Sequence, residues 1–98
     1  MVVMILESVP TSVRGELTRW LLELKAGVFV GTISTAVRET LWKSVCGKLR
    51  GGAALLVHNT ANEQGYTIRY SGDTTRIVED YEGMLLIKYP KLENPKRT

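Results

Sequence analysis

Four charged side chains stand where they can act on a phosphate or on backbone N–H groups: Glu7, Arg14, Arg38 and Arg76. Glu7 closes an apolar run and directly precedes a helix start. A carboxylate there caps free N–H groups and interacts with the helix dipole, worth about 0.3–1 kcal/mol. Arg14 falls in the first turn of that helix, where backbone N–H groups and a cationic side chain can grip one phosphate together. Arg38 holds the same place early in a second helix, and Arg76 lies in a loop beyond a hairpin. The plain alternative is an arginine that only solvates a surface or pairs with a neighbour, such as Arg38 with Glu39 or Glu16.

Other reactive types are solitary. His58 is the one histidine, which leaves little room for a zinc site or a histidine triad. It reads as a packed or interface residue. Cys46 is the one cysteine, with no histidine near it in sequence to activate it as a nucleophile. A single cysteine excludes an internal disulfide and suits a reducing, cytoplasmic setting. Trp20 and Trp42 extend apolar helical stripes and read as core rather than as base-stacking platforms.

These residues need a scaffold, and 98 residues supply one domain. Hydrophobic residues at 44% fill one modest core, and charged residues at 23% describe an ordinary globular chain. The longest apolar runs, such as Ala53–Val57, fall far short of the roughly 18 residues of a membrane span. Met1–Leu6 lacks the basic start and small-residue cleavage site of a signal peptide. Of the formal charge of +3, two units belong to the tail, where Lys91, Lys96 and Arg97 face Glu93. A nearly neutral body remains, so any nucleic-acid binding must rest on arrangement or on doubling in a dimer.

Along the chain, Met1–Glu7 predicts a strand covered on both faces. Pro10 with Thr11 or Ser12 opens a helix. Val13, Leu17, Trp20, Leu21 and Leu24 form its apolar face, and Gly27 is its left-handed stop. Val28–Val30 reads as a short strand. Ser34 or Thr35 caps a second helix with Val37, Leu41, Val45 and Leu49 every fourth residue, stopped at Gly51-Gly52. Ala53–Asn59 and Tyr66–Ser71 are strands joined by a turn over Ala61–Gly65. Tyr66, Ile68 and Tyr70 alternate with Thr67, Arg69 and Ser71. Met84–Tyr89 is the last strand. The domain thus covers residues 1–89, with a polar tail over 90–98.

The predicted order, β-α-β-α-β-β-β, is an α/β sandwich. Two helices cover one sheet face. The face with Tyr66, Ile68 and Tyr70 is too apolar to stand open, so a homodimer is the simpler arrangement.

The corner Glu7–Pro10, Arg14-Gly15, Trp20-Leu21-Leu22-Glu23, Ala26–Gly31, Arg38-Glu39 and Trp42 together resemble the Cas2 family, the small CRISPR adaptation subunit, in its type I-E subtype. The likeness extends more weakly through the Gly65 hairpin, Arg76 and the strand before Pro90.

That resemblance implies a ferredoxin-like fold, a homodimer, and assembly with the Cas1 integrase around a captured double-stranded DNA during spacer acquisition. Arg14, Arg38 and Arg76 match basic positions that the family sets against the DNA backbone, whereas Ser12, Ala36 and Thr75 stand where relatives can carry arginine or lysine. The family is also described as a metal-dependent nuclease on RNA or DNA. On that reading Glu7 is the catalytic residue and metal ligand, two copies sharing one Mg²⁺ across the dimer. Most of the wider family has Asp at this corner. A plain ferredoxin-like order needs two strands between the helices, and Val28–Thr32 is the only stretch that reads as strand there.

Overall fold

The chain was analysed as a computed structural model, which describes residues 1–61, 63, 65–74, 77 and 92–93. The elements run β1 (Val2–Glu7), α1 (Thr11–Leu17), β2 (Leu22–Lys25), β3 (Val28–Gly31), α2 (Thr35–Gly47), β4 (Ala53–Asn59), β5 (Tyr66–Gly72) and β6 (Leu92–Glu93). The sheet order is β2-β3-β1-β4-β5-β6. All pairings from β2 to β5 are antiparallel, and the two-residue β6 lies parallel to β5 at one edge. Within that order, β4-β1-β3-β2 with two helix crossovers is the ferredoxin-like fold, and β5 widens it.

The second strand between the helices comes from residues that the apolar spacing assigns to α1. The helix ends at Leu17, and Thr18–Leu21 leave it through turns closed by Trp20 N–H and Leu21 N–H on the Leu17 carbonyl. Leu22 and Glu23 then pair with Val30 and Phe29. Gly27 is therefore no helix stop. It is the second residue of the two-residue turn between Lys25 and Val28, at φ +82. A Cβ there would lie 2.6 Å from the Leu6 carbonyl oxygen, whereas Gly27 itself accepts the Leu6 N–H at 2.8 Å. The apolar spacing fails here because a short run in an edge hairpin can mimic one helical face, and pairing with β3 decides the outcome.

β1 is central and covered on both faces, as its unbroken apolar run predicts. Val2, Met4 and Leu6 join Val13, Leu17, Leu21, Phe29, Leu41, Trp42 and Val45 under the helices. Ile5 packs on the opposite face with Leu55, Ile68 and Ile77, edged by Val3, Val57, Tyr66 and Tyr70. The alternation foreseen over Tyr66–Ser71 thus holds. α2 starts at Ser34, whose Oγ accepts the Val37 N–H at 3.2 Å. The last strand expected over Met84–Tyr89 lies outside the described residues. Of the tail, Leu92–Glu93 borders the sheet.

Candidate functional site

The chain turns from β1 into α1 through Ser8, a non-glycine residue at φ +58. This bend sets Glu7, Ser8, Arg14 and Gly27 around one cavity of about 310 Å³. Arg14 Nη2 donates to Glu23 Oε2 at 2.6 Å, and the same oxygen accepts the Gly27 N–H at 2.9 Å. One carboxylate therefore ties α1 to the β2–β3 turn. The Gly27 N–H and then the Arg14 guanidinium hold the Glu23 carboxyl below its ordinary range. Nε and Nη1 of Arg14 make no bond within the described residues.

The expectation of Mg²⁺ concerns the donor set here. Glu7 is the one carboxylate among the described residues lining the cavity, and the Arg14 guanidinium shares the space. Among the described residues no group of three or more His, Cys, Asp or Glu side chains could hold a metal. Mg²⁺ keeps several waters and is held through one or two carboxylates. Among the described residues one chain supplies Glu7 alone, so the shared site of the Mg²⁺ expectation calls for the Glu7 of a second copy.

A second charged cluster lies at the seam of α2 and β5. Register places Thr67, Arg69 and Ser71 on the helix side of the sheet, opposite the face of Ile68. Arg69 Nη1 reaches Glu39 Oε1 at 2.9 Å and Oε2 at 2.7 Å, while Arg38 Nε donates to Oε2 at 2.8 Å. The Arg69 guanidinium carbon lies 5.8 Å from the centre of the buried Trp42 ring, a cation–π distance. Burial raises the Glu39 pKa, but the hydrogen bonds from Arg69 and Arg38 outweigh it and leave the carboxyl below its ordinary range. Nearby His58 is buried, with Nδ1 at 3.0 Å from the Asn59 carbonyl and Nε2 without a partner among the described residues. Burial above all lowers its pKa, and the charges of Arg38 and Arg69 add to this.

The structure thus brings Glu7 and Arg14 to one cavity and sets Arg38 in another cluster, while Arg76 lies outside the described residues. Arg38 pairs with Glu39, not Glu16. Glu16 instead accepts the Ser44 hydroxyl at 3.1 Å and meets Lys48 at 3.5 Å, which links the two helices. His58 is packed, as expected, and Trp42 is core. Trp20 is not: at 51% exposure it stands outside α1, because the helix that would have buried it stops at Leu17. Glu23 and Arg69 do not stand out as site residues in the sequence. The signal for Arg69 was its place among Thr67 and Ser71, on the polar side of an alternating strand that faces a helix. The signal for Glu23 was hidden by the helical reading of Leu22–Lys25.

Among the described residues no helix is long and apolar enough to cross a membrane. A family model described as CRISPR-associated protein (Cas_Cas2CT1978) matches residues 1–86. The match spans both charged clusters and every strand of the antiparallel sheet.

Proposed function

Because the chain belongs to the Cas2-type CRISPR-associated family (Cas_Cas2CT1978), we propose that it is the DNA-holding scaffold of CRISPR spacer acquisition, of the type I-E subtype. A homodimer grips double-stranded DNA by its backbone through Arg14, Arg38 and Arg76 and bridges Cas1 integrase dimers in the cytoplasm. Catalysis of integration belongs to the partner. The observation that carries this reading is the family match over residues 1–86, within which these arginines fall. Phosphate contacts fix register without reading bases, so binding is insensitive to sequence and steeply dependent on salt.

The sheet face opposite the helices supports the dimer. Val3, Val57, Tyr66 and Tyr70 are only partly buried there, and a cavity of about 380 Å³ opens beside Met1, Val3, Val57 and Tyr66. A monomer in sedimentation at micromolar concentration would remove the dimer from this reading.

The competing reading is a Mg²⁺-dependent nuclease acting through Glu7. The two separate on chelation, which leaves duplex binding intact if the chain is a scaffold. Replacing Glu7 by alanine then leaves spacer integration by the Cas1 complex nearly unchanged. Loss of integration in a Glu7→Ala protein that still folds and dimerises would reverse the choice.

A further inference from the structure

Two guanidiniums share one carboxylate at the α2–β5 seam, and that count is the starting point. Arg38 and Arg69 together carry two positive charges against the single negative charge of Glu39, so the cluster keeps a surplus of one. Its donors are not exhausted either. Arg38 uses only Nε and Arg69 only Nη1, and their other N–H groups make no bond within the described residues.

The carboxylate is the outermost member. The Glu39 side chain is 41% exposed, against 17% for Arg38 and 22% for Arg69. The anionic oxygen pair is thus the most exposed part of the cluster, and the Arg69 guanidinium that holds both its oxygens lies against the Trp42 ring. Carboxylate and phosphate present the same paired oxygens to a guanidinium fork, and arginine binds both in the same way. What holds Glu39 here would hold a phosphate.

We infer that Arg38 and Arg69 form one preformed site for a backbone phosphate of duplex DNA, and that Glu39 occupies it in the free protein. On binding, a phosphodiester oxygen pair takes the place of the Glu39 carboxylate, which swings into solvent. Arg69 thereby becomes a DNA-contacting residue. This inference rests on the duplex-backbone reading above and assigns one of its contacts to a defined pair of side chains.

The test is a double-mutant cycle on duplex affinity, measured across a salt series on two unrelated sequences. The parent, Arg69→Gln, Glu39→Gln and the double variant are compared, with helical content and thermal midpoint recorded for each. Arg69→Gln leaves Arg38 to hold Glu39, so the fold is expected to survive. It should flatten the log–log salt slope by about 0.9 for each copy in contact with DNA. Glu39→Gln should tighten binding, since the resident anion is gone, and that gain should vanish in the Arg69→Gln background. An equal gain in both backgrounds would mean that only bulk charge has changed, which overturns the shared site. So would an unchanged slope in Arg69→Gln with a parent that binds duplex steeply. A parent that binds no duplex at low salt would instead overturn the scaffold reading itself, and the inference with it.

Discussion

The two charged clusters use the same chemistry in different ratios. At the β1–α1 corner one arginine meets one carboxylate, and Glu23 spends the same oxygen on the Gly27 backbone N–H. Within that pair the charges cancel, Glu7 adds a second carboxylate to the same cavity, and Glu23 is the less exposed partner, at 25% against 39% for Arg14. At the α2–β5 seam two arginines meet one carboxylate, and the carboxylate is the outer group. The corner is therefore a clasp between a helix and a turn, with its cation on the outside. The seam is a cationic platform with a removable anion on top. Counting arginines along the sequence cannot separate these cases, because both look like a lone Arg early in a helix.

The largest break in the comparison comes from beneath the seam. Trp42 is 3% exposed, lies under Arg69 and sits in the helix-side core. Trp42→Ala should cost about 3–5 kcal/mol by loss of burial and creation of a cavity. Trp20→Ala should stay within about 0.5 kcal/mol, as for an ordinary surface change, since Trp20 is half exposed. Urea unfolding of the two variants checks both values. Similar losses would mean that Trp20 packs after all.

The corner breaks next, through its turn. Gly27 combines positive φ with a carbonyl oxygen where a Cβ would go. Gly27→Ala should destabilise by about 2–3 kcal/mol and loosen the N–H bond to Glu23. Gly51 provides the control, at φ +87 with open space around its missing Cβ. There alanine should cost roughly 1 kcal/mol, the left-handed term alone. A Gly27→Ala loss no larger than that of Gly51→Ala would show that the turn can shift away from Leu6.

How much of this was legible follows the same division. The central strand, the second helix opening at Ser34 or Thr35, the β4–β5 hairpin and the two-faced Tyr66–Ser71 strand were readable, because period and capping signals agree there, although α2 ends at Gly47, short of the stop expected at Gly51-Gly52. The β2 hairpin was not. Four residues of edge strand carry too little alternation to outweigh a helical stripe, and the same Gly27 suits a helix stop and a turn equally well. Missing β2 concealed Glu23, and with it the ion pair that engages Arg14. Arg69 had a readable place on a polar strand face, but its meeting with Glu39 depends on the packing of α2 against β5, which local pattern does not encode.

Acid separates the groups by the pH range in which each loses its contribution. Glu23 and Glu39 have folded pKa values below their ordinary range. Their stabilisation is complete above the unfolded carboxylate pKa and is lost as pH falls through the lowered folded values. His58 adds an earlier loss, because its folded pKa lies below the ordinary 6.5 and the unfolded chain takes up the proton first. Stability should begin to fall as pH drops through 6.5 and fall again in the carboxylate range. His58→Gln should remove the first step only, and Glu39→Gln should reduce the second. Unfolding free energies measured against pH decide this. A first step that survives in His58→Gln belongs to another group.

The smallest expected effect is on Arg14, and it bears most directly on the difference between the clusters. A phosphate approaching Arg14 meets a guanidinium already neutralised by Glu23 at 2.6 Å. Glu23 cannot easily yield, because the Gly27 N–H holds the same oxygen from the backbone side. The contact is left with Nε and Nη1 as donors and with little net charge to release counterions. Arg14→Gln should therefore flatten the log–log salt slope by less than the roughly 0.9 per contact of an unpaired cation, and by less than Arg69→Gln. The small loss should be the same on two unrelated duplexes, since a backbone contact reads no base. Restoring a free cation sharpens the point: Glu23→Gln keeps an oxygen for the Gly27 N–H but removes the opposing charge, so it should steepen the parent slope. Salt titrations of these variants, with helical content checked, measure the order. A full 0.9 loss in Arg14→Gln would mean that Glu23 releases Arg14 on binding and that the corner, like the seam, opens its ion pair to the DNA.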